Sequence, residues 1–404
     1  MRDLTENPAC RAGPAGPRAG QGIYVHIPFC IAKCFYCDFN SYPTDRGVPD
    51  WYVAALTRDI ACEAGLWPER FATVYFGGGT PSLLEPQQIE TIIGCLKDHL
   101  SLEPGCEATL ECNPATVTRA KMAAYRAAGV TRLSVGVQSL CEQELRVLGR
   151  MHNCDEALTA LVMARQAGFL DVSADVMLGI PGQTTASFEA TLAGVVDLVT
   201  HVSVYMLTIE PGTPFAESVS RGLLREPDDD LLAGLYEHAA GILAASGLAR
   251  YEISNFAREG YMCRHNCMYW RCGNYVGLGA GAHSHRYGRR CAKVRNPKAY
   301  SDALASSSSA VEYDEALTSE QKMLEEVMLG LRTSRGIAAR LPEEFPFPGR
   351  AVLAAKLHSL VKGGFLVRKR NLLKLSPKGV LVHDAVCAEI ARALPADPVR
   401  DTSA

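Results

Sequence analysis

The chain has no excess of charge of either sign: 41 Lys+Arg stand against 44 Asp+Glu in 404 residues, a formal net charge of −3. That balance excludes a pervasively basic nucleic-acid coat, which needs bulk attraction to phosphate, so no nucleic-acid partner is expected. No run reaches the length of a transmembrane helix; even the apolar stretch from Val195 to Leu207 is broken by Asp197 and His201. Nor does an apolar h-region follow Met1: the segment to Gln21 is rich in Ala, Gly, Pro and Arg, which excludes a secretory signal. Low hydrophobicity with high charge, the mark of a disordered chain, is missing too, since 48% of residues are hydrophobic and 21% charged. What is plentiful is cysteine, 15 in all. A chain this long has a core large enough to stand without disulfide staples. The expectation is therefore a reducing cytoplasm in which clustered cysteines serve metal binding or catalysis.

From Ile23 onward, short β-rich runs alternate with longer helical patterns. Strands are expected at Ile23–Ile27, Thr73–Phe76, Ala108–Cys112, Arg132–Gln138, Val172–Leu178 and His201–Leu207. Helices are expected near Pro49–Leu66, Pro86–Leu100, Thr118–Ala128, Cys141–Leu148, Asp155–Ala167 and Thr184–Val199, with Gly129 and Gly168 as C-terminal stops. Strict βα alternation implies parallel strands with right-handed crossovers, either partly closed into a barrel or open as a doubly wound sheet. Past Pro211 the pattern changes to a helix near Asp228–Ser246, a β-like run Tyr251–Phe256, a Cys/His/aromatic segment Tyr261–Cys272 and a glycine-rich stretch Gly277–Ser284. The polar Ser306–Ser309 marks a boundary. Beyond it, Thr318–Arg332 and Ala351–Lys362 read as helices and Gly364–Leu375 as a hairpin, the order of a small winged-helix-like domain. The expected division is a flexible tail over 1–21, a barrel over 22–210, an extension over 211–305 and a C-terminal α+β domain over 310–404.

Directly after the first strand stands Cys30-Ile-Ala-Lys-Cys34-Phe-Tyr-Cys37. Three thiolates within eight residues converge only if the chain loops around something. Structural zinc wants four protein ligands and no neighbour completes the set, whereas three suit a [4Fe–4S] cluster with one iron left open. Cys-x3-Cys-x2-Cys after the first strand of a βα series resembles the radical S-adenosylmethionine (SAM) superfamily. The resemblance implies a partial (β/α)6 barrel whose open iron chelates the methionine end of SAM and whose cluster supplies the electron for a 5′-deoxyadenosyl radical. It also implies SAM contacts at Tyr24, Tyr36, Gly78, Gly79, Thr80, Glu111, Gln138, Arg150 and Asp175. Gly77-Gly78-Gly79-Thr80-Pro81 follows the second strand, where absent Cβ atoms let backbone approach a ligand. Each of the polar positions by itself also fits a helix cap or a surface ion pair.

The stretches Tyr24-Val-His-Ile-Pro-Phe-Cys30, Ser134-Val-Gly-Val-Gln138-Ser139 and Gly179-Ile-Pro-Gly-Gln183-Thr184 resemble the oxygen-independent coproporphyrinogen III oxidase group. Its true oxidases carry a fourth cysteine two residues after the third and a longer N-terminal extension. Here Phe39 occupies that position and the extension is missing, and Cys37-Asp-Phe-Asn-Ser41 looks like the HemW-type haem chaperones. Arg264-His265-Asn266-Cys267-Met268-Tyr269-Trp270 matches their HNxxYW haem-binding motif, which implies haem contacts at His265, Asn266, Tyr269 and Trp270. Imidazole ligates haem iron, and aromatic rings and arginines (Arg264, Arg271) suit a porphyrin with propionates. Composition alone equally fits a loop pinned to the core by its aromatics. Cys267 is an alternative haem ligand, and Cys263, Cys267, Cys272 and Cys291 are an alternative site for an auxiliary cluster. The implied cofactors are the cluster, SAM and haem, and no catalytic residue is assigned. The implied partners are a haem-acceptor protein, an electron donor where radical chemistry runs, and a membrane protein for peripheral docking. The leading expectation is a haem chaperone without coproporphyrinogen III dehydrogenase activity. That dehydrogenase, or another radical SAM enzyme, is the alternative. The basic run Lys362, Arg368, Lys369, Arg370, Lys374 and Lys378 reads as a solvated wing.

Overall fold

The computed structural model describes residues 20–306, 309–344, 347 and 349–394. The tail expected over 1–21 therefore lies outside the described residues as far as residue 19, as does part of the expected boundary at Ser306–Ser309.

Six strands form the frame: β1 (Gln21–Ile27), β2 (Phe71–Gly78), β3 (Leu102–Cys112), β4 (Arg132–Gln138), β5 (Asp171–Leu178) and β6 (His201–Met206). Between them run α1 (Asp50–Cys62), α2 (Pro86–His99), α3 (Arg119–Ala128), α4 (Glu142–Leu148), α5 (Cys154–Gln166) and α6 (Thr185–Val195). The helix starts are chemically marked. Asn153 and Glu156 form a capping box at α5, and Thr184 does the same with Ser187 at α6. Gly129, at φ 115°, closes α3 in the left-handed conformation expected of it. The last helix of this series stops at Val195, four residues short of the expected Val199.

All six strands are parallel and lie in chain order. Right-handed crossovers that always step in one direction put every helix on the same face, so the sheet is singly wound; the doubly wound alternative is excluded. The two faces differ accordingly. Ile23, Val25, Ile27, Val74, Phe76, Leu110, Leu133, Val135, Val172 and Val202 pack outward against the helices in the main core. The alternate residues Tyr24, His26, Thr73, Tyr75, Glu111, Ser134, Asp175 and His201 face the concave side. A parallel sheet covered on both faces reads as unbroken apolar runs; this one alternates because one face lines a polar lumen.

The sheet also extends beyond the six strands. After β6 come α7 (Pro214–Ser220), α8 (Asp229–Ala245), β7 (Ala249–Arg250), β8 (Asn255–Ala257) and α9 (Arg264–Tyr269). β9 (Tyr275–Leu278), β10 (His283–Arg286), β11 (Arg289–Lys293), α10 (Pro297–Ser306) and β12 (Val311–Ala316) follow. The sheet has twelve strands in the order β12-β11-β10-β9-β1-β2-β3-β4-β5-β6-β8-β7, with β9 parallel to β1 and the outer strands antiparallel. Of the run Tyr251–Phe256, expected as one strand, only Asn255 and Phe256 belong to β8; Tyr251–Ser254 turn between β7 and β8 around buried Glu252, which accepts from the Ser254 N–H at 2.9 Å. Curvature shows in contacts between non-neighbouring strands' loops: the Phe215 N–H, beyond β6, donates to Phe35 O, beyond β1, at 3.0 Å.

A second apolar cluster, including Met323, Val327, Leu353, Leu357, Leu366 and Ile390, underlies the C-terminal part. It is built from α11 (Ser319–Arg332), β13 (Ile337–Ala338), α12 (Leu341–Glu344), α13 (Arg350–Lys362) and the hairpin β14 (Leu366–Lys369) and β15 (Leu372–Leu375), followed by α14 (Pro377–Leu381) and α15 (His383–Ala393). Arg332 fastens it to the barrel: its guanidinium donates to Glu252 at 2.6 Å and Ser254 Oγ at 2.9 Å, and lies 4.5 Å from the Trp270 ring centroid. Among the described residues no helix is long and apolar enough to cross a membrane.

Candidate functional site

The cysteine loop leaves the C-terminal end of β1 and is braced from three sides. His26 Nε2 lies 2.9 Å from Asn40 O, and its Nδ1 lies 2.9 Å from the Tyr24 hydroxyl. Asn40 Nδ2 donates to Ala280 O at 3.1 Å and Arg295 O at 3.0 Å, so the glycine-rich stretch after β9 holds the far end of the loop. Phe35 and Tyr36 lean on α7, with the Tyr36 and Phe215 rings 6.3 Å apart.

Within this frame Cys30 is nearly buried while Cys34 and Cys37 are half-exposed, and every described cysteine is a free thiol. The Thr80 hydroxyl donates to Cys30 Sγ at 3.4 Å, and the Arg150 guanidinium donates to Cys34 Sγ at 3.5 Å and to Gly136 O at 3.0 Å. Burial raises the Cys30 and Cys37 thiols, opposed by the Thr80 and Ser41 hydrogen bonds at Cys30 and by the Phe39 backbone at Cys37. Among the described residues no three Cys, His, Asp or Glu side chains converge on a single metal position. The glycines complete the fit. A Cβ on Gly79 would sit 2.9 Å from Cys30 Sγ and 2.7 Å from Phe29 O, and Gly78, at φ 118°, has the His26 ring where a Cβ would be.

Farther into the lumen, Glu111 accepts from the Tyr75 hydroxyl at 2.8 Å. Burial pushes its carboxyl up to about 7, opposed by the Tyr75 and Gly78 hydrogen bonds and reinforced by Asp175. Asp175 accepts from Ser134 Oγ at 3.0 Å on both oxygens, and burial raises it also. Gln138 is held at φ 66°, a conformation a glutamine adopts at a cost, so its side chain is aimed by the strand-to-helix turn rather than by preference. The structure thus gathers Tyr24, Gly78, Gly79, Thr80, Glu111, Gln138 and Asp175 at the C-terminal half of the lumen. Tyr36 and Arg150 lie against the cluster loop itself, not on a strand end.

The segment expected to hold haem is a short helix, α9, that stops the opposite end of the lumen. Glu107, buried, accepts from the Arg264 N–H at 3.1 Å and the His265 N–H at 3.2 Å and so caps the helix start. Arg132, buried with it, pairs with Asp171 and donates to Tyr261 O at 3.2 Å. His265 is fully buried: its Nδ1 lies 2.8 Å from Thr73 Oγ1, and its ring stacks on Tyr75 and meets Tyr269 edge-on. Gly22 leaves room for it, since a Cβ there would fall 3.0 Å from the ring. Its Nε2 has no hydrogen-bond partner, nor has the Trp270 indole N–H. Burial pushes the His265 imidazole down to about 3, so it is neutral, the form that ligates iron. An unpartnered imidazole nitrogen fits a haem iron chemically; its burial means that α9 must leave the lumen before a porphyrin can reach it. Asn266, Tyr269 and Trp270 are half-buried on the same helix or just past it. Arg264, expected to meet propionates, is engaged with Gly105 O and Glu103. The auxiliary-cluster arrangement is not met: Cys263 points to Glu107, Cys272 neighbours Glu326 and Arg290, and Cys291 bonds to Ser284. His285 lies 3.2 Å from Gly273 O, and His283 is exposed.

Residues not anticipated include Tyr75, Thr73, Glu107, His26 and Asn40. Tyr75 and Thr73 share the inward phase of β2 with Gly77, a signal present in the alternation.

The curled sheet of parallel strands with a three-thiol loop at its C-terminal mouth defines a radical SAM protein. Residues 24–193 match the radical SAM superfamily and residues 317–382 the HemN C-terminal domain. The chain belongs to the HemW family: it is 38% identical over 378 residues to the Mycobacterium tuberculosis protein "Heme chaperone HemW", covering 92% of this chain and 95% of that one. It is 33% identical to the Bacillus subtilis protein of the same name, over 91% and 98%, and 36% identical to "Radical S-adenosyl methionine domain-containing protein 1, mitochondrial" of Bos taurus, over 93% and 88%. Escherichia coli coproporphyrinogen III oxidase (HemN), described as a radical SAM enzyme, shares the fold at a TM-score of 0.80 with 23% identity, over 95% of this chain and 91% of that one. Radical SAM membership brings with it a [4Fe–4S] cluster and SAM, which the loop and lumen fit.

Proposed function

We propose that the chain is a haem chaperone that binds haem through His265 and passes it to an acceptor protein. Cys30, Cys34 and Cys37 hold the cluster, and Tyr24, Tyr36, Gly78, Gly79, Thr80, Glu111, Gln138, Arg150 and Asp175 surround SAM. Cluster and SAM together supply one-electron chemistry when bound. The chain's own part is to hold the Arg150 guanidinium against Cys34, to offer Glu111 and Asp175 to the polar groups of SAM, and to bar water by the loop–α7 contact. The observation that carries the haem reading is His265 Nε2, a neutral imidazole nitrogen inside the protein with no partner. Most buried polar groups are satisfied; of the seven buried side-chain atoms without a partner among the described residues, His265 Nε2 is the one in the HNxxYW segment with a lone pair to give a metal. Asn266, Tyr269 and Trp270 move with it; the two aromatic rings provide apolar faces for the macrocycle and the Asn266 amide a polar contact. Phe39, 64% exposed where the oxidases have a fourth cysteine, supports a role other than coproporphyrinogen decarboxylation.

An anaerobic haem titration of the cluster-loaded protein, followed by the Soret band, tests the proposal. The expected result is saturation near one haem per chain, lost or spectrally altered in His265→Ala. Absence of saturable binding, or binding indifferent to that substitution, would return the weight to an enzyme acting on an iron-free tetrapyrrole.

A further inference from the structure

One side chain belongs to both ends of the lumen. Tyr75 donates its hydroxyl to Glu111 at 2.8 Å, and its ring stacks on the His265 imidazole with centroids 5.1 Å apart and planes 26° apart. Tyr24 stacks on it as well, at 6.3 Å and 21°. Thr73, two residues earlier on the same face of β2, holds His265 Nδ1, and Gly77–Gly79 follow directly at the mouth. A phenol anchored at its oxygen cannot tilt off the ring it covers. We propose that Tyr75 couples occupancy of the SAM site at Glu111 to the availability of His265 for haem. The inference rests on the haem reading above.

Glu111 accepts from the Tyr75 hydroxyl and the Gly78 N–H. SAM arrives with an ammonium group and ribose hydroxyls, donors that compete for that carboxylate. A displaced Tyr75 hydroxyl, away from bulk water, must find another partner. Turning toward one carries the ring off His265, which is then held only by Thr73 and the edge of Tyr269. Bound SAM therefore makes it easier for α9 to release His265 to an iron. The packed and released positions of His265 are the two states, and each ligand biases them by its different contacts in each. By linkage, haem must strengthen SAM binding by the same factor.

The test measures haem affinity by Soret titration with and without saturating SAM, and SAM affinity by equilibrium dialysis with and without haem, on the anaerobic cluster-loaded chain. In the wild type, SAM is expected to tighten haem about tenfold, and haem to tighten SAM equally. Tyr75→Phe keeps the ring and removes the anchor, so both ligands still bind and both ratios fall to about one. Thr73→Val loosens His265 while leaving the Tyr75–Glu111 bond intact; it should raise haem affinity in the absence of SAM and preserve the ratio. A wild-type ratio of one, an unchanged ratio in Tyr75→Phe, or a ratio lost in Thr73→Val overturns the coupling. If haem binding is saturable and depends on His265 yet the ratio is one, only the coupling falls. If haem binding ignores His265, the haem reading falls and takes the coupling with it.

Discussion

At the mouth of the barrel the reactive groups stand partly open: Cys34 and Cys37 are half-exposed, and Glu111 and Asp175 face the lumen with only neutral donors beside them. At the floor the charges are buried and already matched. Glu107 takes two N–H groups of α9, and Arg132 is set among Glu107, Asp171 and Tyr261 O. Both ends are polar and both are shielded, so burial alone does not separate them. What separates them is whether the chain itself supplies the counter-charge. Burial raises Glu107 and Glu111 alike, but Glu107 has Arg132 and two N–H groups against it. Glu111, pushed up to about 7, has only neutral donors and is prepared for a ligand from outside. Where the counter-charge is built in, the groups hold a plug in place. His265 departs from this at the floor, sealed in yet unsatisfied at Nε2, as is the neighbouring Trp270 indole N–H.

That contrast breaks most visibly at the mouth. Replacing Cys30, Cys34 or Cys37 singly by Ala should abolish the broad visible absorption of a reconstituted cluster without unfolding the chain; retention in all three variants would refute the ligand set. The floor should answer in stability instead. Arg132→Leu leaves buried Glu107 and half-buried Asp171 without their cation and should cost about 3 kcal/mol in urea unfolding. A loss below about 1 kcal/mol would show that the charges there are not interdependent.

The third expectation concerns pH and the exceptional histidine. His265 is pushed down to about 3 by burial, below its unfolded value, so the unfolded chain binds the extra proton. Its contribution is complete above the unfolded pKa and is lost as pH falls from about 6.5 toward 3, at about 1.4 kcal/mol per unit. His152, lowered to about 4 by burial and by Arg150, adds to the same slope down to that value. Unfolding free energy of the haem-free chain, measured between pH 7 and 5, should fall less steeply in His265→Gln than in the wild type. Equal slopes would mean that the imidazole is not buried in solution.

Much of this was legible in the sequence. Ile23-Tyr24-Val25-His26-Ile27 already alternates between a core face and a lumen face, and the three cysteines follow where a barrel mouth must be. The six parallel strands and their helices were readable because each is a local pattern of the right period. The floor was not. α9 spans only Arg264–Tyr269, too short for periodicity to show which side is buried, and its burial depends on Gly22, Thr73 and Glu107, far away in the chain. The β-like run Tyr251–Phe256 reads as a strand, yet Glu252 serves the turn and the Arg332 contact, and only its last two residues join β8. Tyr75 was overlooked for a related reason: a tyrosine in a strand reads as ordinary packing until its two neighbours are known.

The pairing of β1 with β9 has a consequence for biogenesis. Gly22 sits opposite Tyr275, and Val25 opposite Leu278, so one side of the first strand waits for more than two hundred and fifty residues to be made before it is covered. During that interval a nascent chain holds an open strand edge beside an unplugged lumen, the kind of surface that invites wrong pairing. Ribosomal emergence therefore presents the cysteine loop well before the floor that closes beneath it. With α9 packed in place, the finished chain presents the cysteine loop at the mouth alone.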